Sequence, residues 1–417
     1  MFRFVHAADL HLDSPFKGIT GTAGTVAETL RAASFQAFDA LLNLCRTQNA
    51  AFLLVAGDVY DGADRSLRAQ LRFRDGLAAL AADGIQSFIV HGNHDPLDGW
   101  TSAIAWPPGV HIFGADHVET TLAHAGPHSL AAISGVSYRT RTERRALSRQ
   151  YEPTRPDLFQ IALLHCNCGR DTGHDDYVPC LPADLAALGF DYWALGHVHT
   201  RDVISTNPPI VYPGNTQGRS VREPGPRGCY VVTVHDDRHV ELEFHPLHAV
   251  LWLADDVSID DLTTIDALDR ALAERTDQLR ARGDTRPVVA RLTLTGRGPL
   301  HHELLREGAV TELLTRAREV GLADTPFVWV QDLHVATRPT ADLEALRAAP
   351  DILGSALRIA QELATAPDVN AALAPTLADL HADPRLRKLL DPLSPDALRA
   401  LLTDAELLCV DLLAEKE

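Results

Sequence analysis

Five apolar runs in the first half of this 417-residue chain each stop abruptly on a carboxylate, an amide or an imidazole. FRFVHAA runs into Asp9-Leu10-His11, and AFLLVAG into Asp58-Val59-Tyr60-Asp61. IQSFIVHG is followed by Asn93-His94-Asp95, FQIALL ends in a segment closing on His165, and the run 190–196 gives way to His197-Val198-His199. The runs are short and rich in β-branched and aromatic residues, which marks buried strands. Amphipathic helical stretches at 25–48 and 64–83 separate the first three. Strands alternating with helices predict a wound sheet. Shorter strands beyond residue 110 (VHIFG, SLAAISGVSY, FQIALLHC, DYWALGHV, PIVYPG, CYVVTVH, HVELEFH) predict a second sheet packed on it.

Taken singly, each ending has a plain reading as a turn, a helix cap, a hydrogen-bonded core histidine or an edge strand. Together they form an ordered series at five strand ends. Ligands in open α/β sheets bind outside the carboxyl ends of the strands, where such endings converge. Asp9, His11, Asp58, Asn93, His165, His197 and His199 offer oxygen and imidazole nitrogen and no thiolate. That set suits Mn²⁺, Fe²⁺ or Zn²⁺ better than Mg²⁺ or Ca²⁺, which prefer all-oxygen shells. Seven donors are too many for one ion and suit two that share a bridging carboxylate. Gly57, Gly92 and Gly196 let the backbone come close without a side chain in the way. His94 is left beside the ions.

The remainder of the chain predicts a smaller α/β unit at 250–340, with helices at 263–282 and 301–320 and strands at 286–296 and 326–335. From about 340 to 417 only helices are expected, broken at Pro350, Pro367, Pro384 and Pro392. The domain reading is therefore 1–249, 250–340 and 341–417. MFRFVHAADLHLD places two His and two Asp where a signal peptide needs an unbroken apolar segment. The six dispersed cysteines lack a zinc-type CxxC pair. Free thiols in a reducing cytoplasm follow as the expectation, as does the absence of a membrane span. The net charge of −18 argues against a generic nucleic-acid coat while allowing a local basic site. Two arginine-rich stretches run against that sign, 139–149 and 218–228.

The order D-x-H, GD-x-x-D, GNHD, a lone histidine after a strand, and GH-x-H resembles the calcineurin-like metallophosphoesterase superfamily. ADLHLDSPF, GDVYD, HGNHD and YPGNTQGR look most like SbcD-type DNA-repair exonucleases, in their YhaO-like branch. The resemblance is specific over about residues 1–250, weaker over 250–340, where relatives carry a cap, and only generic over the tail. It implies a four-layer α/β/β/α sandwich with a small α/β cap and a helical C-terminal region. One ion would fall to Asp9, His11 and His199, the other to Asn93, His165 and His197, with Asp58 bridging. The implied cofactors are two divalent ions, Mn²⁺ first, with Fe²⁺ or Zn²⁺ as alternatives. A hydroxide shared by the ions would attack phosphorus in line. His94 would stabilise the transition state or protonate the leaving oxygen, with Asp95 orienting it. Asp61 and Tyr60 are candidates for ligand support or substrate contact, and Arg219 and Arg222, with Arg139, Arg141, Arg144 and Arg145, for DNA contact.

Two departures matter. Gly62 follows Asp61, and the GNHD motif ends in Asp95 where protein phosphatases of the superfamily have Glu. Both disfavour a phosphoprotein phosphatase. Cys166 and Cys168 flank Asn167 just past His165, leaving open either buried thiols or a third ion. The leading expectation is a Mn²⁺-dependent DNA nuclease acting at ends with an SbcC-like coiled-coil ATPase. The helical tail would dock that partner, close the core or form a homodimer. The alternative is a phosphodiesterase for cyclic nucleotides or other small diesters. A non-catalytic scaffold would predict decay of the donor set, which is complete.

Overall fold

A computed structural model describes residues 1–14, 24–61, 66–98, 104–169, 178, 180–382 and 394–413. Gly62, Pro384 and Pro392 lie outside them. Two compact units divide the chain: residues 1–255 with 273–292 and 316–332, and residues 256–272 with 293–315 and 333–417. The stretch expected as a separate cap, 250–340, is shared between the two.

The first unit is built on two six-stranded sheets. Strands β1 (Phe2–Ala7), β2 (Phe52–Ala56), β3 (Gln86–Val90) and β4 (Val110–Ile112) run parallel. The other sheet contains β5 (Glu119–Ala125), β6 (His128–Gly135), β7 (Phe159–His165), β8 (Tyr192–Gly196), β9 (Asp202–Thr206) and β10 (Pro209–Tyr212), in the order β5-β6-β7-β8-β10-β9. The chain then returns to the first sheet as β11 (Gly228–Val234) and β12 (Val240–Pro246), completing the order β12-β11-β1-β2-β3-β4. Helices α1 (Gly24–Thr47) and α2 (Leu67–Ala82) cover the first sheet. Ser66 caps α2 by accepting the Ala69 N–H, a contact typically worth about 1 kcal/mol. The fourth layer is thin: short α3 (Pro182–Ala186) and irregular chain pack over Tyr138, Tyr151 and Trp193.

The two-residue period of a strand explains the layering. In β2, Phe52, Leu54 and Ala56 face the second sheet, whereas Leu53 and Val55 face the helices. Both faces are buried, so this parallel strand reads as an unbroken apolar run. Full burial of each such side chain contributes roughly 1.5–3 kcal/mol.

Beyond these layers come β13 (Leu251–Ser258), α4 (Ile265–Gly283), β14 (Val288–Thr295), α5 (Leu300–Leu304), α6 (Ala309–Ala323) and β15 (Val328–Val335). The sheet order there is β13-β14-β15. The expected helix 301–320 is two helices, because Gly308 adopts φ +86° between them. The C-terminal helices are α7 (Leu343–Ala348), α8 (Ile352–Thr365), α9 (Val369–Ala382) and α10 (Pro395–Leu413). A small core of Leu353, Leu357 and Val410 joins α8 to α10, beside an Arg347–Glu406 ion pair of 2.8 Å. Among the described residues no helix is long and apolar enough to cross a membrane.

Two buried histidines make the first unit acid-sensitive. Burial pushes His6 down to about 3 against the opposing effect of a backbone hydrogen bond at Leu195, and its Nδ1 lies 3.0 Å from the Tyr192 hydroxyl. Burial likewise pushes His248 down to about 4. Both are neutral in the fold and take up protons on unfolding. Their stabilisation is therefore complete above pH 6.5 and drains as pH falls toward 4 and below, by at most ~1.4 kcal/mol per pH unit per histidine. Thermal melts from pH 7.5 to 4.5 should show this decline, and His6→Gln should flatten it. Parallel profiles for parent and variant would show that His6 does not carry the effect.

Candidate metal centre

Parallel pairing aligns the ends of β1, β2 and β3 on one side, and the facing sheet brings the ends of β7 and β8 to the same place. Beyond β1 and β2 the two exits stay laced together: Asp9 N–H donates to Gly57 O at 3.0 Å and His11 N–H to Asp58 O at 3.0 Å. The exits bend sharply. Asp9, His11, Asp58 and His197 have φ of 52°, 44°, 49° and 103°, a left-handed region uncommon for residues with a Cβ. Such strain persists only where surrounding structure holds it, and it concentrates at functional sites. At Gly92 the packing is tight enough to demand glycine. A Cβ there would stand 2.3 Å from Asp58 Oδ1 and 2.6 Å from His165 Nε2.

All seven donors expected from the sequence come together. The side-chain donor atoms of Asp9, His11 and His199 lie within 4.8 Å of one another, as do those of Asp9, Asp58 and His165. Asn93 Oδ1 is 3.0 Å from His165 Nε2 and 3.2 Å from His197 Nδ1. Asp58 Oδ2 stands between the groups, 3.5 Å from His165 Nε2 and 4.0 Å from His11 Nε2.

The donor chemistry calls for cations. His165 Nδ1 donates to Ala56 O at 2.9 Å, so its Nε2 carries a lone pair, yet that Nε2 faces the Asn93 amide oxygen. His199 Nδ1 donates to Glu223 Oε1 at 2.6 Å, so its Nε2 lone pair faces His11 Nε2 at 3.1 Å. An acceptor held against an acceptor, as His165 Nε2 is against Asn93 Oδ1, is repelled unless a positive charge sits between them. Burial, then the Asp58 charge, raises the proton affinity of Asp9 well above the usual carboxylate range. Burial and then the charge of Arg219 hold His11 well below its ordinary range. Two divalent ions would relieve both conditions. Asp9, His11 and His199 fit one, and Asn93, His165 and His197 the other, with Asp58 between.

A third grouping, His11, Asp61 and His94, overlaps the first. Its core is an acid–base pair: Asp61 Oδ1 is 2.7 Å from His94 Nδ1. Burial opposes the charged form of His94, but the hydrogen bond to Asp61 and the charges of Asp58 and Asp61 outweigh it and raise its pKa. His94 N–H also donates to Asp58 Oδ1 at 2.9 Å.

This geometry corrects the expected role of Asp95. Asp95 is fully buried, with Oδ1 accepting Gly92 N–H at 2.7 Å and Oδ2 accepting Val59 N–H at 2.8 Å and lying 2.8 Å from His91 Nδ1. It ties the turn after β3 to the turn after β2, and Asp61 is the carboxylate on His94. Tyr60 is also not on a substrate side. Its ring is buried in the core beneath the helices, edge-on to Phe73.

Arg219 is occupied inside the protein. Its Nη1 donates to Asp61 Oδ2 at 3.0 Å and to Ser14 Oγ at 3.1 Å. Arg222 is exposed. Arg139 pairs with Asp116, and Arg145 forms a two-pronged bond with Glu143. Cys166, Cys168 and Cys180 are buried free thiols in the core under α3.

Glu223 was missed from the sequence, and it is a half-buried acid placed directly behind the donor set. Burial opposes its charge, but the His199 hydrogen bond and the nearby Arg219 charge lower it to about 2. The only available signal was its place four residues after Arg219, in the loop that follows YPGNTQGR.

Comparison with known proteins gives names to this arrangement. The family described as calcineurin-like phosphoesterase matches residues 2–201. That described as the middle domain of metallophosphoesterase YhaO matches residues 252–338. The chain is 35% identical to the uncharacterized metallophosphoesterase YhaO of Bacillus subtilis (strain 168) over 344 residues, covering 82% of this chain and 84% of that one. It is 24% identical over 353 residues to the DNA double-strand break repair protein Mre11 of Methanopyrus kandleri, covering 77% of this chain and 72% of the other.

Proposed function

The chain belongs to the calcineurin-like metallophosphoesterases, in the YhaO family, and on that premise we propose that it is a DNA nuclease hydrolysing phosphodiester bonds at a two-ion centre. The observation that carries the hydrolytic part of this reading is the convergence of Asp9, His11, Asp58, Asn93, His165, His197 and His199 beside the His94–Asp61 pair. The DNA substrate is supported by the more distant similarity to Mre11. Mn²⁺ is the proposed ion, from the mixed oxygen and nitrogen donor set. A chain of net charge −18 is suited to leave most of the DNA grip to a partner. A coiled-coil ATPase of the SbcC kind is the partner this reading favours.

When bound, the two ions would polarise the phosphoryl oxygens and lower the pKa of water. The protein's own groups supply the rest. His165 and His199 are fixed by Ala56 O and Glu223 with Nε2 as the open donor. His94, held through Nδ1 by Asp61, presents its other ring nitrogen to protonate the departing 3′ or 5′ oxygen.

Metal-stripped protein restored with Mn²⁺ should release label from end-labelled linear duplex DNA and also hydrolyse bis(p-nitrophenyl) phosphate. Hydrolysis of the small diester with intact DNA would overturn the nuclease assignment in favour of a small-molecule phosphodiesterase.

A further inference from the structure

We propose that Glu223 is a positioning residue that sets the tautomer of His199, and thereby the affinity of one of the two ion sites. The inference rests on the two-ion reading of the centre. Glu223 lies in the loop between β10 and β11, outside every donor cluster. Its two oxygens have different partners. Oε1 accepts the His199 Nδ1 proton at 2.6 Å, and Oε2 accepts Arg219 N–H at 2.7 Å and Asn215 Nδ2 at 3.0 Å. Each oxygen therefore takes a donor, which only a carboxylate allows.

The Arg219 donor is a backbone N–H and cannot turn away. A glutamine at 223 must aim its carbonyl oxygen at that N–H and its NH₂ at His199. Facing a donor, His199 Nδ1 becomes the acceptor, and the ring proton moves to Nε2, the nitrogen that points to His11 Nε2 at 3.1 Å. A protonated Nε2 cannot ligate an ion. Glu223→Gln thus preserves size and most contacts while switching off one donor. Carboxylate support behind a ligating histidine typically changes ion affinity 10–100-fold.

The same loop reaches the other side of the centre. Arg219, whose N–H binds Glu223, donates through Nη1 to Asp61 Oδ2, and Asp61 holds His94. One loop therefore brackets both an ion-binding histidine and the proton-bearing one.

Calorimetric titration of metal-stripped full-length protein with Mn²⁺ tests the inference. The parent should take up two ions. Glu223→Gln should weaken one site 10–100-fold and leave the other within a few-fold. Glu223→Asp, which keeps the carboxylate, should recover part of the loss. Nitrogen-15 spectra of the histidines in the ion-free protein give a readout that needs no binding. His199 should be protonated on Nδ1 in the parent and on Nε2 in Glu223→Gln. The inference fails if both sites in Glu223→Gln retain parental affinity, or if parental His199 carries its proton on Nε2. A parent that binds no ion would overturn the two-ion reading and this inference with it.

Discussion

Replacing Asp58 by asparagine is expected to abolish hydrolysis and yet raise the melting temperature of the ion-free protein. The two effects share one cause. Asp58 lies between the donor groups, and its charge is one of the reasons Asp9 resists ionisation. Without ions, the Asp58 charge obliges its buried neighbour Asp9 to hold a proton, and removing that charge lessens this penalty. Asparagine also tolerates the left-handed φ of 49° at this position and can still accept the His94 N–H. The fold should therefore be unharmed. With ions supplied, loss of the shared carboxylate should lower activity on the order of 10³-fold or more, beyond the effect of deleting a single hydrogen-bond donor from an active site. Bound Mn²⁺ should fall below two per chain. A variant that keeps two ions and substantial turnover would remove Asp58 from its bridging place. A variant that melts below the parent in chelator would refute this effect of the Asp58 charge.

His94→Ala is expected to separate proton donation from ion binding. His94 sits beside the donor set, with Nδ1 committed to Asp61. Its removal should leave two ions bound while lowering turnover of DNA by about 10²–10⁴-fold, the usual range for a general acid. The loss should depend on the leaving group. An alkoxide from DNA needs a proton as the bond breaks, whereas p-nitrophenolate leaves readily without one. With bis(p-nitrophenyl) phosphate the loss should shrink to about tenfold or less. Asp61→Asn should fall between parent and His94→Ala on DNA, because Asn holds the ring less firmly and leaves Arg219 without its carboxylate. Equal losses on both substrates would assign His94 to transition-state stabilisation and not to proton transfer.

The strand endings were legible in the sequence because a buried parallel strand is an unbroken apolar run, so its exit stands out against it. The seven donors and His94 are all read at such exits. What lies between strands was less legible. Strands β5, β9 and β13 were not anticipated. ETTLAHA and DVIST are sheet-edge strands of mixed polarity, and LWLADDVS loses its alternation at Ala254-Asp255-Asp256. The role expected of Asp95 falls to Asp61, for a local reason. Asp95 is next to His94 in sequence, but consecutive side chains in a tight turn diverge. The carboxylate that meets His94 comes from β2's exit, 33 positions earlier by residue number (94 − 61). Glu223 was hidden because a loop without periodicity gives no hint of which way a side chain faces.

The pairing of β1 with β11 has a bearing on biosynthesis. Phe2 is registered against Val234, so the first strand of the protein finishes its sheet with one of the last strands of that layer. The donors themselves are spread from Asp9 to His199. A ribosome-bound chain therefore displays each chemical fragment of the centre long before the fragments can meet. Contacts this distant in sequence form late and together. The donor set can close only after His199 has emerged, and the sheet that carries Asp9 is completed only with β11, so the centre of this metallophosphoesterase forms late in the synthesis of its unit.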